Sequence, residues 1–243
     1  MNIFSSILGI FFICFGLQNN QSGKDFIDRL YERYHDNWYH SFTFVQKTEN
    51  YRNDSLIKSE TWYEAGILPD KFRIDFGDPE NGSGVLFRND SVYVFRHKTM
   101  VTARADKNDL LFLIGGLYFM QKSEVYKRFE LFGYDLNKSF ETTFKGRKVV
   151  VVGAEYDGEK ANQLWYDQEK MVLLRMMTFD DGIPFEGVFE GHKKYGKGWS
   201  EEKITFYKNG ALDQVEYYYD FKANPNLSAD LFDPSHFTTT RWK

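Results

Sequence analysis

Hydrophobic positions change their period along this chain, and the changes mark its elements. Between Ser22 and Trp38, the residues Phe26, Leu30, Tyr34 and Trp38 recur every fourth position, with Ile27 and Tyr31 beside them. That spacing predicts an amphipathic helix over Ser22–Trp38. Ser22 can cap its start, where Asp25 and Asp28 also suit the positive end of the helix dipole. From Ser41 the period becomes two: Phe42, Phe44 and Gln46 alternate with Thr43 and Val45. In Lys71–Phe76, the residues Phe72, Ile74 and Phe76 face one way and Lys71, Arg73 and Asp75 the other, the pattern of a strand with one wet face. Gly77–Gly82 is a turn cluster, and Val85–Arg88 and Val92–His97 flank Asn89-Asp90 as a hairpin.

The rhythm breaks over residues 107–133. Leu110, Leu111, Leu113, Ile114, Leu117, Tyr118 and Met120 form a dense apolar helical stretch interrupted by Gly115-Gly116. Each glycine costs a helix interior roughly 1 kcal/mol, so a bent or two-piece helix is expected, with Ser123–Phe132 as a further helical piece. Strands resume near Phe140. Val149–Val152, Gln163–Tyr166, Val172–Phe179, Phe185–Glu190, Glu202–Tyr207 and Gln214–Phe221 are the candidates. Asp157-Gly158, Asp181-Gly182 and Asn209-Gly210 supply turns between some of them. Sequential antiparallel strands with short turns predict a meander that curls into a barrel or half-barrel. The fold class is therefore mainly β (α+β).

Met1–Gly16 stands apart. It is almost continuously apolar and carries no charged side chain. At that length it falls short of the roughly 20 residues a membrane span needs and fits a signal peptide cut after Gly16. An uncut membrane anchor and a lipid anchor on Cys14 are the alternatives. Residues 17–243 then form a single domain, with no composition shift or repeat to mark a second. Cys14 is the only cysteine, so the mature domain holds no disulfide and no thiolate metal site.

Composition adds two constraints. A net charge of −4 with mixed signs argues against binding a phosphate backbone, so no nucleic acid partner is expected. Aromatic residues make up 19% of the chain, which favours strands and exceeds what an ordinary core needs. The excess either lines a cavity or fills a large core.

Candidate chemistry is sparse. Gly191-His192-Lys193-Lys194-Tyr195-Gly196-Lys197 has the glycine and lysine spacing of a phosphate loop, but Gly198 stands where Ser or Thr should reach magnesium. Trp199–Tyr207 also reads as a strand, so this segment is a hairpin loop. None of His35, His40, His97, His192 and His236 forms a metal-binding pair by spacing. There is no nucleophile elbow. Asp180-Asp181 and Glu201-Glu202 are adjacent, so on a strand their members face opposite sides. Carboxylates that meet only in space remain open. No cofactor, no metal and no enzymatic activity are expected.

Several motifs occur in a familiar order. Ser41-Phe42-Thr43-Phe44-Val45-Gln46-Lys47 follows the helix. Thr61-Trp62-Tyr63, Pro69-Asp70-Lys71-Phe72-Arg73-Ile74-Asp75-Phe76 and the closing Leu231-Phe232-Asp233-Pro234 come after it. The chain thereby resembles the outer-membrane lipoprotein carriers of the LolA-like family, and more loosely LolB and RseB. The resemblance implies a curved antiparallel sheet, an incomplete barrel closed by lid helices, around a cavity for acyl chains. It implies a periplasmic carrier or chaperone, a monomer, with lipoprotein acyl chains or other lipids as cargo and transport partners at the inner and outer membranes. Phe72, Ile74 and Phe76 would line the sheet, and Leu110, Leu113, Ile114 and Leu117 would form the lid. The family's arginine before the proline, which bonds the lid, is replaced by Leu68. A protein-binding sensor of the same fold is the first alternative, and a hydrolase whose residues meet only in space is the second.

Overall fold

The computed structural model describes residues 22–243. The expected signal peptide and Cys14 lie outside the described residues. Helix α1 spans Gly23–Tyr34. Ser22 caps it through a reciprocal pair with Asp25, as the sequence predicts. The helix stops a turn earlier than the apolar period suggests, and Trp38 lies beyond its end.

The strands run β1 (Ser41–Arg52), β2 (Ser55–Ile67), β3 (Lys71–Phe76), β4 (Gly84–Arg88), β5 (Ser91–Arg96) and β6 (Thr99–Ala105). The helical insertion follows as α2 (Asp109–Ile114), a 3-10 turn (Gly116–Phe119) and α3 (Lys122–Leu131). Then come β7 (Ser139–Phe144), β8 (Arg147–Val152), β9 (Gln163–Asp167), β10 (Leu173–Asp180) and β11 (Ile183–Glu190). A small hairpin, β12 (Lys193–Tyr195) and β13 (Gly198–Ser200), occupies the loop with phosphate-loop spacing. The chain closes with β14 (Lys203–Lys208) and β15 (Ala211–Ala223).

Thirteen strands form one antiparallel sheet in the order β6-β5-β4-β3-β2-β1-β15-β14-β11-β10-β9-β8-β7. Two meanders are joined where β1 pairs with β15. The sheet is curved but does not close, so β6 and β7 are its free edges. The insertion that links those edges packs across one face, the inner face, together with α1. Tight turns set the register: Asn89-Asp90, Asp181-Gly182 and Asn209-Gly210 all adopt positive φ, which two-residue hairpins require.

Strand β3 reverses one expectation. Its alternation is as predicted, but the charged side is the buried one. Arg73 and Asp75 are 0% and 1% exposed, whereas Phe72, Ile74 and Phe76 are half-buried on the inner face. The reason lies more than 150 residues downstream. The segment after β15 folds back over the outer face and seats Leu231, Phe232 and Phe237 against Ala65, Leu86 and Phe95. Arg73 completes its hydrogen bonds on that segment, donating to the carbonyls of Phe237 (2.8 Å) and Leu231 (3.3 Å).

Gly115-Gly116 breaks the insertion as expected. A Cβ at Gly115 would lie 2.6 Å from Nε1 of Trp38 and 2.9 Å from a methyl of Leu68. The break thus lets the insertion sit directly on both. No helix among the described residues is long and apolar enough to cross a membrane.

Candidate functional site

The inner face of the sheet is built by alternation. On β1 it presents Phe42, Phe44, Gln46 and Thr48; on β15, Tyr218 and Glu216 lie opposite Gln46 and Thr48. On β14, Ile204 and Phe206 continue the row, and on β11 Gly187 and Phe189 pair with them. Much of the aromatic excess is consumed here. Phe42 stacks on Phe44 (5.8 Å) and Phe221 (6.1 Å), and Phe44 stacks on Tyr218 (4.5 Å). These rings fill the interior as core.

The helices cover the face only in part. Tyr31 donates to the Met120 carbonyl (2.8 Å), and Nδ1 of His35 lies 2.9 Å from the Tyr118 carbonyl. These bonds tie α1 to the insertion. Leu68, at the position of the family's arginine, instead makes a buried apolar contact beside Gly115. The insertion is therefore held on α1 and Leu68 by packing, by backbone carbonyls and by the contacts of Lys122 with Glu32 and of Tyr126 with Asp28.

Two parts of the inner face remain accessible. One is a cleft of about 300 Å³ between α2 and strands β10, β11, β14 and β15. Its apolar wall includes Leu110, Met176, Phe185 and Phe206, and its polar wall includes Asp109 and Glu216. The other is a half-buried strip on the far side of β1, where Trp62 packs on Phe76 (4.7 Å) and Phe72 on Phe87 (6.3 Å). The seven residues singled out from the sequence are thus distributed. Phe72, Ile74 and Phe76 belong to the strip, and Leu110 lines the cleft. Leu113 and Ile114 border a narrower hollow beside Trp38 and Tyr166, and Leu117 is fully buried in the core.

The polar inner-face residues were not singled out from the sequence. Three glutamates from different strands and turns, Glu64, Glu201 and Glu216, are buried on this side. Burial raises the carboxyls of all three, Glu201 to about 7; the Glu216 carboxyl raises Glu64 and Glu201 further, whereas hydrogen bonds from Tyr218, Gln214 and Gln46 offset part of the rise at Glu216. Glu216 accepts hydrogen bonds from the Tyr218 hydroxyl (2.8 Å) and from Gln214. Their signal was the polar alternation Gln214-x-Glu216-x-Tyr218 on a strand otherwise marked by aromatics. Among the described residues, no three His, Cys, Asp or Glu side chains converge closely enough to hold a metal ion.

Solved structures share this architecture. A DUF1329 family protein from Desulfovibrio piger superposes with a TM-score of 0.62 at 13% identity, covering 88% of this chain and 97% of that one. An outer-membrane lipoprotein-sorting protein domain from Vibrio parahaemolyticus gives 0.63 at 12% identity, covering 89% and 98%. A LolA superfamily protein from Nitrosomonas europaea gives 0.57 at 10% identity, covering 86% and 98%. The chain has the LolA-like fold. No protein-family model matches the sequence, and neither does any curated protein. The LolA-like resemblance carried by the motifs is therefore matched at the level of fold, with the open sheet and covering helices that it implies.

Proposed function

We propose that the protein is a non-enzymatic carrier or chaperone that works in the periplasm and holds the acyl chain of a lipoprotein or another lipid. The observation that carries this reading is the cleft of about 300 Å³ between α2 and the sheet, with Leu110, Met176, Phe185 and Phe206 on its wall. That size falls at the lower end of small-molecule sites, about 300–1,000 Å³, and burying each methylene contributes about 0.8 kcal/mol. The half-buried strip around Trp62 and Phe76 gives a longer chain a place to continue. The lipoprotein-sorting domain among the structural neighbours supports the same reading, and delivery would involve partners at either membrane.

A second reading, a protein-binding module of the same fold, is favoured by one feature. Edge strand β6 is exposed at all seven of its residues and offers an unpaired edge to an extended peptide. Lipid extraction and mass spectrometry of the purified protein, followed by titration with a fluorescent acyl probe, separate the two. Co-extracted lipid and saturable probe uptake are expected. A protein that carries no lipid, takes up no probe and still captures a partner after delipidation would overturn the carrier reading.

A further inference from the structure

The wall of the cleft is unbalanced in charge. Asp109, Asp213 and Glu216 line it together with Gln214 and Thr178, and no lysine, arginine or histidine does. An apolar hollow with one-signed polar walls selects against a ligand of the same sign and for one of the opposite sign. An ordinary fatty-acid carboxylate would add a fourth acidic group to three, of which Asp109 and Glu216 are already held above their ordinary pKa by burial.

Buried polar groups behind this wall point the same way. Glu64, 3% exposed, makes no ion pair or hydrogen bond among the described residues, and Glu216 is the charge that acts most strongly on it. A buried polar group left unpaired is costly, by far the more so when it is charged. Acidic groups therefore stand on both sides of the cleft, at Asp109 and at Glu216, and its lining holds no cationic side chain. A group with several N–H donors, or a diffuse positive charge, satisfies such a wall; a metal ion does not, since these oxygens do not converge on one point.

We propose that the cleft selects amphiphiles whose apolar chain ends in a cationic amine, with Asp109, Asp213 and Glu216 holding the charged end. The inference rests on the carrier reading and names its cargo class. The chain lies along Leu110, Met176, Phe185 and Phe206, and the ammonium stays at the acidic side.

The test uses the whole mature chain and a neutral fluorescent apolar probe. Dodecylamine, dodecyltrimethylammonium, dodecanoate and dodecanol compete for the probe near neutral pH, all below their micelle thresholds. Both cationic chains are expected to bind at least about tenfold more tightly than dodecanoate, well within what one opposite-charge contact supplies. Glu216→Gln and Asp109→Asn should each reduce that ratio. Asp213→Asn is an exposed change that leaves the fold intact, and it should reduce the ratio as well. Equal binding of all four chains would overturn the selectivity while leaving the carrier reading standing. A preference for ammonium that survives all three substitutions would overturn the assignment to this cleft. Failure of the probe itself to bind would bring down the carrier reading and this inference with it.

Discussion

Arg73 and Asp75, two residues apart on β3, form a bidentate ion pair at 2.8 Å and 2.8 Å beneath the C-terminal segment. The guanidinium also sits 4.1 Å from the centre of the Phe237 ring, which stacks at 4.1 Å on Phe95. Removing only the carboxylate strands a buried cation. Asp75→Ala is expected to destabilise the fold by about 3–5 kcal/mol in urea denaturation. Replacing both partners, as Arg73→Met with Asp75→Leu, should cost clearly less, because no charge is then left unpaired. A double variant as damaged as the single one would show that the carbonyl contacts to the C-terminal segment matter more than the pair.

Gly66 gives a second test of packing. A Cβ there would lie 2.3 Å from the Phe42 ring. That ring is held between Phe44, Phe72, Phe221 and Tyr39, so it has nowhere to move. Gly66→Ala should therefore cost about 1–3 kcal/mol as overpacking, read as a lowered urea midpoint with an unchanged slope.

How much of this was legible in the sequence follows from what each element depends on. Helix α1, the β4–β5 hairpin and the break at Gly115-Gly116 depend on neighbours in sequence, and their periods and turn residues announce them. Strands β2 and β6 were not marked as strands by alternation, because β2 carries a mixed run of polar and apolar residues and β6 packs nothing on either side. The wet face of β3 was misread because its cover comes from residues after β15. The acidic side of the cleft was invisible for the same reason. Asp109 lies in the helical insertion and Asp213 and Glu216 on β15, so they meet only when the insertion covers the sheet.

The lid attachment predicts a kinetic effect. Tyr31 donates to the Met120 carbonyl, beside the contacts of Lys122 with Glu32, of Tyr126 with Asp28 and of His35 with the Tyr118 carbonyl. Tyr31→Phe removes one hydrogen bond at about 1 kcal/mol while keeping the ring. Acyl-probe entry measured by stopped flow should become a few-fold faster, with equilibrium affinity changed less. An unchanged rate would mean that cargo enters without displacing this part of the insertion.

Two groups at the hollow beside Trp38, Glu201 and His192, give opposite pH dependences. Burial holds Glu201 at about 7, above its ordinary 4.5, so the folded state binds the extra proton. Its contribution to stability is full below 4.5 and is lost as pH rises to about 7. Burial, aided by Arg147, lowers His192 from 6.5 to about 4, so there the unfolded state binds the extra proton. Its contribution is full above 6.5 and is lost as pH falls to about 4. Each shift corresponds to about 3 kcal/mol. The raised carboxyls of Glu64 and Glu216 add to the Glu201 trend. Glu201→Gln should thus match the wild type near pH 4.5 and exceed it by about 3 kcal/mol above pH 7. His192→Gln should match the wild type above pH 6.5 and exceed it as the pH falls toward 4. Urea denaturation across that range reads both differences, and parallel curves for wild type and Glu201→Gln would show that folding leaves the titration of Glu201 unchanged.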